Sequence, residues 1–193
     1  MSELTIEQLK PARKPFQQGE LDGYCGAYAC INAALVIGRN LKKHTCQNFL
    51  AELFVDIAEG KTALPELQKF VIEGCATLPL DSVNKRYPIN YSLPFRLKKH
   101  RPSNVKEYLE AMAKLLNHDP KNSAIISFDD YWGYSHWTVA YAVDRKTKSI
   151  MLFDSCGLKK IRQEQLLLDN DENKGIKRFY RIQLFYTYII SRA

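Results

Sequence analysis

The pattern of apolar and polar positions predicts helices in the first half of the chain. The segment YCGAYACINAALVI is apolar on nearly all sides, follows Asp22 and ends before Gly38. An aspartate can cap a helix start and a glycine can end a helix. A helix that is apolar all round is buried, so we expect this one to be the central helix. Weaker helical patterns cover Cys46–Ala58, Leu64–Glu73 and Val105–Asn117.

The second half of the chain predicts β-strands. Runs rich in β-branched and aromatic residues occupy Ser123–Asp129, His136–Asp144, Ser149–Ser155 and Phe179–Ser191. The polar segment DRKTK, which begins at Asp144, predicts a β-hairpin between the second and third runs. Four prolines between Thr77 and Pro102 indicate an extended connection. Helices followed by an antiparallel sheet predict an α+β fold, with residues 1–193 in a single domain.

Length and composition narrow the class of protein. The 193 residues are 46% hydrophobic and 25% charged, which is typical of a globular chain and excludes disorder, collagen and coiled coil. No run approaches the roughly 20 apolar residues of a membrane span. The first residues, MSELTIEQLKPARKPF, carry charges where a signal peptide needs an apolar run. We expect synthesis in the cytoplasm, followed by residence there or export without a cleaved signal peptide.

The positive charge of the chain is concentrated in one segment. Lys85–Lys106 contains seven basic residues and no acidic one, an excess equal to the formal net charge of +7. Such a segment can attract an acidic protein, a phospholipid surface or nucleic acid. Basic charge alone does not indicate a nucleic-acid binder, so nucleic acid is disfavoured. The alternative is a solvated loop whose charge has no partner.

Five cysteines occur without a C-x-x-C pair, so neither a disulfide framework nor a structural zinc site is predicted, and no cofactor is expected. Cys25 stands in the first turn of the predicted central helix. Unpaired N–H groups and the positive end of the helix dipole stabilise a thiolate there. Gly26 leaves room for a substrate to approach. Cys25 is therefore a candidate nucleophile; the alternative is an inert cysteine in the core.

A thiolate nucleophile needs a base, and His136 is the best placed histidine. His44, His100 and His118 have polar, lysine-rich neighbours that indicate surface positions. His136 begins a predicted strand and shares one face with Thr138, Ala140 and Ala142. A hairpin turn centred on Arg145 or on Lys146 places Asp154 opposite or diagonal to His136, within reach of the imidazole. A turn centred between two residues places the two side chains on opposite faces.

An acyl-transfer site also needs a donor for the oxyanion. Gln17 and Gln18 lie shortly before the predicted helix, and either side-chain amide can join the Cys25 backbone N–H in this role. Nucleophile, base, orienting carboxylate and oxyanion donor are thus Cys25, His136, Asp154 and Gln18 or Gln17.

Two blocks of the chain resemble the papain-like cysteine peptidase superfamily. QQGELDGYCGAYACINAAL is similar to its glutamine and Cys-Gly segment, and HWTVAYAVDRKTKSIMLFDS is similar to its His-strand-Asp segment. The resemblance implies a papain-like fold and thiol hydrolysis of a peptide, an isopeptide or a glutamine side-chain amide. Small domains of this type also resemble bacterial effectors.

Two features differ from the usual pattern. The oxyanion glutamine of papain-like enzymes usually precedes the cysteine by six positions, which is Gly19 here; Gln18 precedes it by seven and is preferred over Gln17. The residues of both blocks also resemble those of SUMO-protease-type enzymes, in which His and Asp come before Cys in the sequence. Cys25 comes first here, so the papain-like order is favoured.

A second class of function fits the same sequence. In that interpretation the domain is a non-catalytic, papain-like module whose segment 85–106 holds an acidic partner.

Overall fold

The computed structural model describes residues 3–17, 25–38, 47–48, 51, 55, 89–169, 171–172 and 175–192. The described helices are α1 (Ile6–Leu9), α2 (Cys25–Val36) and α3 (Val105–Leu116). The strands are β1 (Ile89–Ser92), β2 (Asn122–Asp130), β3 (Ser135–Asp144), β4 (Ser149–Leu152), β5 (Lys160–Arg162), β6 (Leu166–Leu168), β7 (Tyr180–Ile182) and β8 (Tyr188–Arg192). Short 3-10 helices occupy Lys98–His100, Gln163–Gln165 and Leu184–Tyr186.

All eight strands belong to one sheet. The order is β1-β8-β2-β3-β4-β5, and β7 pairs with both β2 and β6. Every pairing is antiparallel except that of β6 with β7. The chain is therefore a mixed α+β protein with a mostly antiparallel sheet, as the sequence predicts at this level.

The helix α2 packs on one face of the sheet. Every residue of α2 is buried except Tyr28, which confirms the prediction of a buried helix. Its side chains share a core with Ile125, Trp137, Val139 and Phe153 of the sheet region. The helix ends at Val36, and Gly38 follows with φ +86°, a conformation that favours glycine. The predicted cap Asp22 lies outside the described residues.

The helix α3 covers the opposite face. Its range agrees with the predicted range within one residue. Asn104 caps its start, because the Asn104 side chain accepts a hydrogen bond from the backbone N–H of Glu107. The buried side of α3 packs on β2, β3 and β4 through Ile126, Ala140 and Ile150 among others. The central strands are thus covered on both faces. The predicted helix Leu64–Glu73 lies outside the described residues, as does Cys46–Ala58 apart from four helical positions.

The hairpin of β3 and β4 is confirmed, but its turn is not centred on Arg145 or Lys146. Asp144 pairs with Ser149, so the turn is centred between Lys146 and Thr147. A β-bulge between Ala140 and Ala142 then changes the register, because Ala142 pairs with Met151 whereas Ala140 pairs with Leu152. Because of the bulge, Ala142 does not share a face with Ala140, although the sequence predicts that it does. Ala142 packs on the α2 side of the sheet and Val143 on the α3 side.

Two other sequence-based expectations need correction. The predicted strand Phe179–Ser191 is divided into β7 and β8 by a 3-10 helix, because β7 pairs with the end of β2 and β8 with its beginning. The predicted extended connection Thr77–Pro102 is described only from residue 89 onward, where it forms β1, paired with β8, and a 3-10 helix at Lys98–His100. Among the described helices, none is both long and apolar enough to span a bilayer.

Candidate active site

The first residue of α2 in the described structure is Cys25. Its side chain is 5% exposed and belongs to the core beneath the sheet. It forms a hydrogen bond with the His136 side chain. The fold therefore brings together two candidate residues that are 111 positions apart in the sequence.

His136 is the second residue of β3, at the end of the sheet. Its Nε2 lies 2.6 Å from Oδ1 of Asp154, and 18% of its side chain is exposed. Because Nε2 is engaged by Asp154, Nδ1 is the ring nitrogen left for Cys25. The ring of Phe128, opposite His136 on β2, contacts the imidazole edge-on at a centroid distance of 5.4 Å. The imidazole is thus fixed on three sides.

Asp154 lies two residues beyond β4 and is buried. Its Oδ2 accepts hydrogen bonds from the backbone N–H groups of Cys156 at 2.9 Å and Leu158 at 3.1 Å. Two backbone donors on one oxygen leave Oδ1 directed at His136. Asp154 therefore has the geometry of a carboxylate that orients an imidazole.

The charges of the site reinforce each other. Burial acts to lower the pKa of His136, but the hydrogen bonds with Asp154 and Cys25 raise it to about 9. Burial acts to raise the pKa of Asp154, but its hydrogen bond with His136 and the charge of the imidazolium hold it below the ordinary value. At neutral pH the pair is an imidazolium and a carboxylate, so both ring nitrogens of His136 donate.

The segment before α2 reaches the same site. The Nε2 of Gln17 lies 3.5 Å from the backbone oxygen of Asp154 and 3.4 Å from that of Pro15, at the long end of hydrogen-bond distances. Gln18 and Gly19 lie outside the described residues. The exposed side chain of Gln17 is thus adjacent to the pair His136–Asp154.

Asn32 holds this segment in place and was not identified from the sequence. It is buried in α2, and its side chain accepts from the backbone N–H of Phe16 at 2.8 Å and donates to the Phe16 carbonyl at 3.2 Å. Its one signal in the sequence is that it is a polar residue within an apolar helix. Such a residue needs internal partners, here the backbone next to Gln17.

Cys156 is a second thiol near the site, also not selected from the sequence. Possible ligand atoms of His136, Asp154 and Cys156 lie within 4.8 Å of one another, and Cys156 is exposed. Two ligands of one tetrahedral zinc ion lie about 3.3 Å apart at usual bond lengths. The separation of 2.6 Å between His136 Nε2 and Asp154 Oδ1 is shorter, so this nitrogen and oxygen cannot both bind one ion without moving apart.

The other candidate residues have different surroundings. Cys30 is buried in the core of α2, and this burial raises the pKa of its thiol well above the ordinary value. His100 is exposed, as expected, and His118 is partly exposed. His44, Cys46 and Cys75 lie outside the described residues.

Comparison of the chain with protein-family models and with curated proteins found no match in either.

Proposed function

We propose that this protein is a thiol hydrolase of the papain-like type that cleaves an amide through a thioester on Cys25. The observation that carries the proposal is the arrangement of the imidazole between two partners. His136 Nε2 lies 2.6 Å from Asp154 Oδ1, and the same ring forms a hydrogen bond with Cys25. Nucleophile, base and orienting carboxylate on three separate elements are the components of nucleophilic catalysis at a carbonyl.

The reaction follows from the charges of these groups. The Cys25 thiolate attacks the carbonyl carbon and forms a carbon–sulfur bond. The His136 imidazolium donates its proton to the leaving amine as the carbon–nitrogen bond breaks. Water then attacks the thioester, His136 accepts a proton from it, and the acid product and the thiolate are released. Asp154 makes no bond to the substrate and holds the imidazole in position.

The tetrahedral intermediate in each half of the reaction needs donors for its oxyanion. In our proposal the Cys25 backbone N–H supplies one and the side-chain amide of Gln18 or Gln17 the other. Peptide, isopeptide and glutamine side-chain amides all fit this chemistry, since each has a carbonyl open to attack and releases an amine or ammonia.

The test compares three kinds of amide with matched variants. Purified protein is incubated with a denatured protein, with an isopeptide-linked conjugate and with a glutamine-containing protein. New N-termini, released lysine amines and released ammonia are measured, respectively. We expect one of these products with the wild-type chain and with Cys30→Ala, and none with Cys25→Ala. Equal product from Cys25→Ala would contradict the proposal.

A second candidate function has its own observation. Within the described part of segment 85–106, which is 89–106, the side chains of Arg96, Lys98 and Lys99 are exposed, and no described carboxylate pairs with them. The guanidinium groups of Arg96 and Arg101 lie 5.5 and 6.0 Å from the ring centroid of Phe185. Fixed, unneutralised positive charge favours an acidic protein partner.

Salt discriminates between the two functions. Binding of a poly-glutamate probe through this segment should weaken steeply between about 50 and 200 mM salt, because such an interaction is screened. Alkylation of Cys25 by a neutral reagent should be nearly unaffected over the same range. Binding that persists unchanged in the variant with Lys98→Ala and Lys99→Ala would exclude these two lysines as the attachment point.

A further inference from the structure

The loop between β2 and β3 presents large aromatic side chains to solvent beside the candidate active site. We call residues 131–134 the aromatic loop. Trp132 and Tyr134 in this loop are 70% and 73% exposed, the two most exposed of the large hydrophobic side chains in the described part of the chain. Exposed aromatic surface of this kind marks a site of interaction.

One side chain holds the aromatic loop in shape. Oδ1 of Asp130 accepts from the backbone N–H groups of Trp132 at 2.8 Å and Tyr134 at 3.0 Å. Backbone bonds join Asp130 N to Tyr134 O and Gly133 N to Asp130 O, both at 2.9 Å. Gly133 has φ +84°, so the tight turn depends on a glycine. The rings are therefore presented by an ordered turn.

The aromatic loop is close to the imidazole. Tyr134 precedes His136 by two residues and continues the pairing of β2 with β3 through its bond to Asp130. Two residues along a strand separate the Cα atoms by about 7 Å and place both side chains on the same face. The aromatic loop is thus two residues along the chain from the histidine that contacts Cys25.

The ring of Tyr131 packs against that of Trp132. The rings of Tyr131 and Trp132 have centroids 4.9 Å apart, and the guanidinium of Arg178 lies 6.0 Å from the Tyr131 ring centroid. The positive charge of Arg178 at the base of the loop disfavours a cationic ligand on these rings. The exposed surface of Trp132 and Tyr134 is itself aromatic, so a neutral apolar or aromatic side chain is the occupant that matches it.

We propose that Trp132 and Tyr134 bind an apolar side chain of a polypeptide substrate, within a few residues of the carbonyl that Cys25 attacks. This inference rests on the proposed function and names its substrate class. A rigid aromatic surface gains contact area at little cost in conformational entropy. In this proposal a small amide such as free glutamine, which has no flanking residues, gains no binding from the aromatic loop. The loop therefore selects a polypeptide over a small amide.

The test uses peptides that react with the thiol instead of being cleaved. Three nonapeptides carry a chloroacetamide on the central side chain, with phenylalanine, serine or arginine at the flanking positions on both sides. The thiolate displaces chloride and forms a thioether, so the rate at Cys25 reports binding of the flanks. Each peptide is compared with iodoacetamide, which has no flanks. The variants are Trp132→Ala with Tyr134→Ala, Asp130→Ala, and Leu97→Ala as a control exposed apolar residue outside the loop.

We expect the phenylalanine peptide to alkylate wild-type Cys25 about tenfold faster than the serine or arginine peptide. This preference should disappear in the double variant, weaken in Asp130→Ala and persist in Leu97→Ala, with the iodoacetamide rate unchanged throughout. Equal wild-type rates with all three peptides, or a preference that survives in the double variant, would overturn the inference while leaving the proposed function intact. Slow iodoacetamide alkylation of wild-type Cys25 would instead count against the proposed function.

A direct binding measurement complements the rates. The chain has two tryptophans, and Trp137 is only 1% exposed, so iodide quenches the fluorescence of Trp132 selectively. In Cys25→Ala, the unreactive phenylalanine peptide should protect Trp132 from iodide and the serine peptide should not. Absence of protection by both peptides at millimolar concentration would also overturn the inference.

Discussion

His136 and Asp154 lie 2.6 Å apart across a hairpin whose turn alone would place them on opposite faces of the sheet. The turn is centred between Lys146 and Thr147, so an unbroken ladder would pair Asp154 with Val139. The bulge at Tyr141 removes this mismatch, because pairing from Ala140 onward is shifted by one residue. The bond from the Phe153 N–H to the Val139 carbonyl, 2.7 Å long, continues the shifted register toward Asp154. One extra residue in β3 thus directs both side chains to the same face.

The first prediction concerns the roles of the three residues. Cys25→Ala and His136→Ala should each lower kcat by roughly 10⁶-fold, and the double variant should be no worse, since the two act as one unit. Asp154→Asn should lower kcat by roughly 10⁴-fold and leave measurable activity, because Asp154 only orients the base. Asp144→Asn is the matched control: Asp144 accepts backbone hydrogen bonds in the same hairpin, away from Cys25. Additive losses in the double variant would contradict a shared mechanism.

The second prediction concerns the protonation of His136. Its pKa, measured by NMR titration of the ring, should be about 9 in the wild-type chain. Asp154→Asn should lower this value, because one of the two partners that favour the imidazolium is lost. An ordinary value near 6.5 in both proteins would show that the imidazole is not held between Asp154 and Cys25.

The same shift predicts a pH dependence of stability. A pKa that is higher in the folded than in the unfolded chain stabilises the fold fully below the unfolded value of roughly 6.5. This stabilisation should be lost as the pH rises from there through about 9. Urea unfolding at several pH values measures the decline, and His136→Gln should lack this component. An identical decline in His136→Gln would assign it to another group.

A matched pair of asparagines supplies the third prediction. The side chain of Asn32 forms hydrogen bonds with both backbone groups of Phe16. That of Asn117 forms them with both backbone groups of Val143, at 2.8 and 2.9 Å, near the opposite end of β3 from His136. Replacement of either by alanine should reduce the free energy of unfolding by about 1 to 3 kcal/mol, since buried polar groups lose their partners. Only Asn32→Ala should also lower kcat, because it releases the backbone of Phe16, which precedes the proposed oxyanion donor Gln18 by two residues. Equal kcat losses in both variants would show a general effect of instability.

The fourth prediction distinguishes Gln18 from Gln17. Loss of a side-chain oxyanion donor should lower the chemical rate by roughly 10²- to 10³-fold with little change in KM. We expect this effect from Gln18→Ala and almost none from Gln17→Ala. The side-chain amide of Gln17 is directed at the backbone oxygen of Asp154 instead. Small, equal effects would mean that another donor, such as a backbone N–H, completes the site.

The parts of the fold with a strong local signal could be predicted from the sequence. The helix α3 has an apolar stripe and Asn104 as a cap, and β2 and β3 lie in long, largely apolar runs. The bulge could not be predicted, because β3 is apolar at both alternating sets of positions. An extra residue in such a strand does not change the pattern of apolar and polar residues. The three-residue strands β5, β6 and β7 are too short for a periodic pattern, and their pairing depends on distant partners.

For the candidate site, residue type was more informative than geometry. The chemistry of Cys25, His136 and Asp154 and their positions in the sequence point to these three residues. The predicted centre of the β3–β4 turn was wrong, although the contact between His136 and Asp154 is present. Asn32 and the aromatic loop were missed for different reasons. The function of Asn32 depends on a partner sixteen residues away, and the exposure of Trp132 is a property of the folded loop alone.

The central claim, that His136 holds Cys25 as a thiolate, is tested most directly by the order in which the cysteines react. Brief treatment with iodoacetamide near pH 6, followed by peptide mapping, measures the alkylation of Cys25, Cys30 and Cys156 in the same sample. Accessibility alone would favour Cys156, which is exposed, over the buried Cys25. A thiolate held by His136 predicts that Cys25 reacts first in the wild-type chain and loses this advantage in His136→Ala. Alkylation that follows exposure, with Cys156 first and Cys25 as slow as Cys30, would contradict the account.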